Sequence, residues 1–175
     1  MGHVLENTAA DGCMGSPLRS KYLTFSLGEE VYGLQIQTVQ EIVSNTPVTR
    51  VPRTPEFLRG IVNLRGRIIP VMDLGVQFGA QPKPDTAKTC IIVVQIVRDS
   101  GKATLRLLVD EVNEVLDIHS SQVEPPPEIV AHGSHQFIFG MAKVGECVVM
   151  LLDTDRVLTH RELFATESLH EVRLN

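Results

Sequence analysis

Apolar and polar side chains alternate over much of the chain with the two-residue period that is typical of half-buried β-strands. The first such segment places Leu23, Phe25 and Leu27 on one face, and a turn at 28–30 leads into an apolar return strand at 31–36. Amphipathic patterns of helical period are missing from most of the chain. Further apolar runs that we interpret as strands occupy 61–64, 67–72, 90–97 and 104–109, and only 161–172, after the last strand, could form a long helix.

Two short helical turns are predicted where capping patterns interrupt the strands. Thr38 and Glu41 have the spacing of a capping box, in which a hydroxyl and a carboxylate satisfy backbone amides at a helix start, so we expect a short helical turn there. Thr54 stands before a proline and Gly60 follows the apolar residues after it, a pattern that predicts another single turn over 57–59.

The two halves of the chain resemble each other weakly. Residues 39–42 match 112–115 in type, and a glycine and an aspartate 13 positions apart occur in both halves, at 60 and 73 and at 140 and 153. Each copy is too small to bury much apolar surface alone, so we expect two small β-barrels that share a core. The predicted organisation is a flexible tail at 1–20, a domain at 21–160 with copies at about 21–78 and 90–160 joined by a linker at 79–89, and a C-terminal segment at 161–175 that could be helical.

Composition excludes several classes of protein. With 43% hydrophobic and 21% charged residues the chain can fold around a core, and its net charge of −5 argues against a nucleic-acid-binding surface. No apolar run approaches the length of a transmembrane helix, and no signal peptide is visible. The three cysteines form no paired motif, and we expect Cys90 and Cys147, which lie in apolar runs, to be buried reduced thiols. The composition predicts a cytoplasmic globular protein with no nucleic-acid partner and no membrane insertion.

Motifs for catalysis or cofactor binding are missing. The chain has no phosphate-binding glycine loop, no serine-nucleophile motif and no zinc motif, and His132 and His135 lack a third ligand nearby, so no cofactor or metal is predicted. Asp73, Asp110 and Asp153 each follow an apolar run and could form the carboxylate set of a small β-barrel acid hydrolase. We favour helix and turn capping for all three, because a carboxylate at a strand end accepts nearby backbone amides.

Local charge is more informative than the total. Between Pro47 and Pro70 the chain carries five arginines, no lysine and one acidic residue, Glu56. Arginine suits bidentate recognition of carboxylates, although a solvated face would have the same composition. Arg65 stands at the predicted tip of a hairpin, where a side chain is exposed, so we interpret it as a partner contact. The other arginines of the segment are candidates for the same role: Arg50, Arg53, Arg59 and Arg67.

These residues resemble the CheW-like family of bacterial chemotaxis coupling proteins over 21–160. The most specific match is the hairpin sequence IVNLRG at 61–66, followed by IIPVMDL at 68–74. One position departs from the family pattern, because this chain has Arg106 where the family usually has a glycine before Leu107. Further matching segments are 22–27, 31–36, 39–42, 51–52, 55–60, 107–110, 112–115, 125–126 and 151–153.

The resemblance implies an all-β protein: two five-stranded SH3-like β-barrel subdomains around a shared hydrophobic core, with short helical turns and a groove between the subdomains. It implies a non-enzymatic adaptor that binds the helical-hairpin tip of chemoreceptors and the regulatory domain of the histidine kinase CheA, recruited from the cytoplasm to membrane-associated receptor clusters. Carried over by position, Glu41 and Arg65 match receptor contacts, and Val39 and Val115 match apolar positions near the groove. A CheW-like interaction module of another two-component system and a small acid hydrolase stay open as alternatives.

Overall fold

β-Strands form most of the regular structure of the described residues, which in this computed structural model are 19–44, 47–98, 101–131 and 137–157. The strands are β1 (Arg19–Leu27), β2 (Glu30–Gln35), β3 (Val39–Ser44), β4 (Leu58–Leu64), β5 (Arg67–Asp73), β6 (Cys90–Arg98), β7 (Gly101–Val109), β8 (Glu111–His119), β9 (Val123–Glu124), β10 (Ile138–Val144) and β11 (Cys147–Leu152). The helical elements are α1 (Leu74–Gln77), α2 (Glu128–Ala131) and 3-10 turns at Ile36–Thr38, Ser120–Gln122 and Thr154–Arg156.

The strands form two sheets, and each sheet takes strands from both halves of the chain. The six-stranded sheet has the order β8-β1-β2-β11-β10-β9, and the five-stranded sheet has the order β3-β6-β7-β5-β4. The hairpin β1–β2 therefore lies among strands of the second half, and the hairpin β6–β7 lies among strands of the first half. Paired strands are antiparallel except β2–β11 and β5–β7, which are parallel. The expected all-β architecture is confirmed, and the two-residue strand β9 makes one sheet six-stranded rather than five-stranded.

The middle parts of the hairpins β1–β2 and β6–β7 are buried on both faces, and in β6 this burial explains the apolar run over 90–94. One face of each hairpin packs into a core shared by the two sheets, where Phe25, Leu34, Ile92 and Leu107 have no exposed surface. Burial of each such side chain contributes about 1.5–3 kcal/mol, so this shared core is the main stabilising contact between the sheets. The opposite faces contribute to two smaller clusters, formed by Tyr22, Ile118, Ala142, Val149 and Leu151 in the six-stranded sheet and by Val62, Val71, Ile91 and Leu108 in the five-stranded sheet.

A row of aromatic rings crosses the shared core. Phe25 stacks on Tyr32 with ring centroids 5.9 Å apart, and Tyr32 contacts Phe78, the residue after α1, at 5.3 Å. Phe78 in turn stacks on Phe137, directly before β10, at 4.2 Å. Because aromatic pairs contribute about 0.5–1.5 kcal/mol beyond their burial, this row fixes the ends of α1 and β10 against the β1–β2 hairpin.

The internal repeat of the sequence has a structural counterpart in two β-bulges. The register of β4 against β5 shifts between Leu58 and Gly60, and the register of β10 against β11 shifts between Ile138 and Gly140. At Gly60 the backbone has a φ of +151°, and an added Cβ would lie 2.2 Å from the carbonyl oxygen of Thr49. Glycine is therefore required there, because the loop before β4 approaches the strand at backbone contact.

The helical turn predicted from Thr38 to Glu41 is wrong. A 3-10 turn ends at Thr38, and Glu41 lies in β3, where it is opposite Val93 of β6. The Thr38 hydroxyl donates to the carbonyl oxygen of Gln35 at 2.8 Å instead of capping a helix. Strand pairing outweighs the local capping signal because it packs Val39 against the shared core.

The turn predicted over 57–59 is also wrong, because β4 begins within this range. The Thr54 hydroxyl donates to the carbonyl oxygen of Val51 at 2.8 Å and so stabilises the loop rather than a helix start. The carbonyl oxygen of Phe57 accepts the backbone N–H of Asp73 at 2.6 Å. This bond extends the pairing of β4 with β5 to the end of the hairpin, so the carbonyl group of Phe57 is used by the sheet and not by a helical turn.

The two described cysteines differ from the prediction of buried thiols. Cys147 is exposed because it begins β11 directly after a turn, so the prediction is wrong for this residue. Cys90 is half-buried and packs against the shared core. Neither of them is in a disulfide.

Some predictions fall on residues outside the described ranges. They concern the tail before Arg19, Cys13, the histidines His132 and His135, and the C-terminal helix over 161–172. The boundaries of the two copies and of the linker stay predictions; residues 80–89, between α1 and β6, form neither helix nor strand. Within the described part of the chain, no helix has the length and apolar character needed to cross a membrane.

Candidate partner-binding surface

The hairpin tip predicted at Arg65 is present as a two-residue turn between β4 and β5. Arg65 and Gly66 have left-handed φ angles of +54° and +80°, and Leu64 pairs with Arg67 across the hairpin. Two positive φ angles are those of a type I′ turn, whose first central position is unfavourable for arginine. The Arg65 side chain is exposed. The turn thus presents Arg65 to solvent, and its role as a partner contact stays a prediction.

Glu41 lies on β3, the edge strand of the five-stranded sheet. A bulge between Val39 and Glu41 interrupts the pairing with β6, and the Glu41 side chain is exposed. Val39 is half-buried and packs against the shared core, whereas Ile42 is 45% exposed. This edge therefore combines a carboxylate with an accessible apolar side chain, which is the composition that an amphipathic partner helix would meet. Ile42 is an addition to the predicted contacts.

Val115 lies on β8, the edge strand of the other sheet. It is opposite Leu23 of β1, beside a bulge, and is 48% exposed. The equivalent position in the five-stranded sheet is Ile42, which is opposite Ile92 of β6. The structure thus divides the predicted receptor contacts between the sheets: Val115 belongs to the six-stranded sheet, and Val39, Glu41 and Arg65 belong to the five-stranded sheet or its hairpin.

The remaining candidate arginines have different surroundings. Arg59 is half-buried, and its guanidinium lies 3.1 Å from the carboxylate of Asp73 and 3.0 Å from that of Asp85. These ion pairs join β4 to the end of β5 and to the segment before β6, which is a structural role; the predicted partner contact of Arg59 stays a prediction. The other three are exposed: Arg50, Arg53 and Arg67.

Arg106 is a functional candidate outside the predicted contacts. It lies on β7, in the middle of the five-stranded sheet, between Val93 of β6 and Val71 of β5. Its Nε atom is buried and has no hydrogen-bond partner among the described residues. Burial lowers the pKa of Arg106 from its usual value, while nearby Glu41 raises it and Arg67 lowers it. In the sequence, the feature that could have identified this residue is a long charged side chain among the apolar residues of β7.

The three aspartates considered for acid catalysis have structural partners instead. Asp73 accepts the backbone N–H of Val76 at 3.2 Å and so caps α1, and Asp153 accepts that of Asp155 at 3.0 Å in the last 3-10 turn. Asp110 accepts the backbone N–H of Gly28 at 2.7 Å and forms an ion pair with Lys83. Among the described residues, no group of three or more His, Cys, Asp or Glu side chains could hold a metal ion.

A cleft of about 420 Å³ lies between the two sheets. Its walls come from β2, β10 and β11 of one sheet and from β6 and β7 of the other, and they include the exposed side chains of Val97 and Phe139. The four predicted receptor contacts do not line this cleft. The groove expected near Val39 and Val115 therefore stays a prediction.

Comparison with known proteins gives the family. The CheW-like domain model matches residues 21–162. The chemotaxis protein CheW of Klebsiella aerogenes is 33% identical over 155 residues, which cover 89% of this chain and 91% of that protein. The chain belongs to the CheW-like domain family. A probable chemotaxis protein CheW of Rhizobium etli is 31% identical over 140 residues, covering 80% of this chain and 88% of that protein.

A solved structure of the family has the same architecture. The crystal structure of the scaffolding protein TtCheW from Thermoanaerobacter tengcongensis superposes with a TM-score of 0.71 at 37% sequence identity. The match covers 82% of this chain and 94% of that chain. The family resemblance read from the sequence is confirmed, together with the fold class. None of the matched proteins supports an acid hydrolase or a module of a different signalling system.

Proposed function

We propose that this protein is a non-enzymatic adaptor that couples chemoreceptors to the histidine kinase CheA in chemotaxis signalling arrays. The observation that carries the proposal is family membership across most of the chain, with relatives named as chemotaxis and scaffolding proteins. The caps and ion pairs that engage Asp73, Asp110 and Asp153 support an adaptor rather than an enzyme.

The receptor contact is the edge of the five-stranded sheet together with the β4–β5 hairpin tip. An amphipathic helix from the receptor hairpin would place its apolar face against Val39 and Ile42, and Val115 extends this contact from the other sheet. Glu41 and Arg65, of opposite charge, would select the charged residues beside that face. Exposed charges at the rim of such an interface mainly steer the encounter, whereas the apolar anchors hold the complex.

Coupling requires that both partners bind at once. The proposed receptor contact uses both edge strands, β3 and β8, so the kinase must bind a different surface of the two sheets, which the shared core holds together. The regulatory domain of the kinase is the second partner in this proposal. The exposed arginines Arg50 and Arg53, in the loop before β4, are candidates for its carboxylates.

A reconstitution tests the proposal. Autophosphorylation of the kinase is measured with receptor-containing membranes, in the presence and in the absence of the protein. We expect kinase activity to depend on the receptor only when the protein is present. A folded Arg65→Glu variant should fail to restore this dependence, and Lys143→Met, a change at an exposed lysine on β10, should behave as wild type. Kinase activity whose receptor dependence is the same with and without the protein would refute the coupling role.

A further inference from the structure

Arg106 occupies a position at which the other sheet has a glycine. The hairpins β1–β2 and β6–β7 hold equivalent places, so Arg106, opposite Val71 of β5, corresponds to Gly33, opposite Leu151 of β11. At Gly33 an added Cβ would already lie 3.2 Å from the side chains of Leu151 and Val149. One copy of the repeat therefore folds without a side chain at this position. The fold by itself does not explain an arginine in the other copy.

The charges around Arg106 do not balance. Glu41 is opposite Val93, which is itself opposite Arg106, and the Glu41 carboxylate is close enough to interact with the guanidinium. Arg67 lies on β5, an even number of residues before Val71, and therefore on the same face of the sheet. Arg106 therefore has one carboxylate and one further guanidinium within electrostatic reach. A pair between Arg106 and Glu41 would still leave one positive charge without a partner in this cluster.

One donor of the cluster also lacks an acceptor. The Nε atom of Arg106 is buried without a hydrogen bond among the described residues, while the residue as a whole keeps part of its surface exposed. A buried donor without an acceptor destabilises the protein, so stability does not explain this arginine, and a ligand on the surface can reach only the exposed remainder of its side chain. The strand register places the side chains of Arg106 and Glu41 on the same face of the sheet, opposite to the face of Ile42, so a receptor helix docked along the β3 edge would meet them with its charged side.

We propose that Arg106 is a specificity-determining residue of this surface and that its guanidinium binds a carboxylate presented by the docked receptor helix. The inference rests on the function proposed above, since it takes the receptor helix as the partner. A carboxylate matches the planar fork of arginine with two parallel hydrogen bonds, and it cancels the unbalanced charge of the cluster. Partial burial strengthens this interaction, because the local dielectric is lower than that of water.

The first test measures binding of the soluble cytoplasmic fragment of a chemoreceptor from the same organism by calorimetry. Arg106→Met keeps the length of the side chain and removes its charge, and we expect the dissociation constant to rise about tenfold, as for the loss of one charge-assisted hydrogen bond. Arg106→Lys keeps the charge but not the fork, and it should cost about threefold. Lys143→Met, at a lysine whose side chain is 67% exposed on the other sheet, is the matched control and should bind as wild type.

The second test is a charge exchange that identifies the partner residue. Each acidic residue at the tip of the receptor fragment is changed in turn to lysine and combined with Arg106→Glu. Recovery of binding by one such combination, with neither single variant binding well, supports the pair. If Arg106→Met and Arg106→Lys bind as wild type while Arg65→Glu does not, the assignment of Arg106 is overturned and the adaptor function stands. If the wild-type protein does not bind the receptor fragment, both proposals are overturned.

Discussion

Replacement of Gly60 by alanine tests whether the bulge in β4 depends on backbone contact. The new Cβ would lie 2.2 Å from the carbonyl oxygen and 2.8 Å from the carbonyl carbon of Thr49, distances at which the backbone must move. Movement would break the two hydrogen bonds between Thr49 and Ile61, each 2.8 Å long, that hold the loop before β4 against the strand. The change therefore acts on the segment that carries Arg50 and Arg53.

The size of the effect follows from two contributions. A residue other than glycine at a φ of +151° costs about 1–3 kcal/mol. Loss of two backbone hydrogen bonds costs about 1 kcal/mol each. The expected loss is about 3–5 kcal/mol, and a chain of this length loses about 2–4 °C of Tm for each kcal/mol. Gly60→Ala should therefore lower the Tm by roughly 6–20 °C.

Gly66→Ala is the matched control, measured by calorimetric or circular-dichroism melting under the same conditions. Gly66 also has a positive φ, +80°, but an added Cβ would meet no atom within 4 Å. This variant should lose only the torsional part, about 1–2 kcal/mol. Equal losses in the two variants, or a Gly60→Ala protein as stable as wild type, would refute the contact with Thr49 as the reason for the glycine.

Three further predictions concern the site and the core. Arg65→Glu should weaken receptor-fragment binding about tenfold without lowering the Tm, because the side chain is exposed. Unchanged binding by a folded variant would contradict the assignment. Asp73→Ala should lower the free energy of unfolding, measured in urea, by about 2–3 kcal/mol, since it removes the α1 cap and one partner of half-buried Arg59. Asp153→Ala removes the cap of a 3-10 turn and should lower it by about 1 kcal/mol. Equal losses in the two variants would contradict this. Burial, with a smaller contribution from a neighbouring glutamate, raises the pKa of Tyr32 above its usual value of 10.0. The neutral phenol therefore stabilises the folded state below about pH 10, and this stabilisation is lost as the pH rises through the folded-state pKa. Tyr32→Phe should reduce the fall in Tm above about pH 10, and an unchanged alkaline profile would refute the burial of the phenol as its cause.

The strands and the hairpin tip could be predicted because their signals are local. Alternation over 23–27 and the Arg65-Gly66 pair between two apolar runs indicate a strand and a tight turn without knowledge of the rest of the chain. The capping pattern at 38–41 predicted a helical turn, which is wrong because residues 39–44 form β3 and pair with β6, some 50 residues later in the chain. Tertiary pairing of this kind decides between two structures that the local sequence permits almost equally.

The exchange of hairpins between the sheets could not be predicted from the repeat. A weak repeat suggests that each copy forms its own barrel, yet β1–β2 pairs with β8 and β11, and β6–β7 pairs with β3 and β5. Separate barrels and exchanged hairpins fit the same alternation of apolar and polar residues, because the alternation indicates which face of a strand is buried and not which strand it pairs with. The continuous apolar sequence over 90–94 does indicate burial on both faces, which an ordinary barrel strand would not need.

In the candidate site, turn geometry marks Arg65, the family resemblance supplies Glu41, Val39 and Val115, and the topology adds Ile42. Ile42 is the last member of a row that continues through Ile92, Leu107, Met72 and Leu58, all buried in the shared core. Val115 ends the equivalent row of the other sheet. In sequence both residues look like core residues, and only their position on edge strands exposes them. A partner helix on either edge would therefore extend the shared core by one position, which couples partner binding directly to the contact that holds the two sheets together.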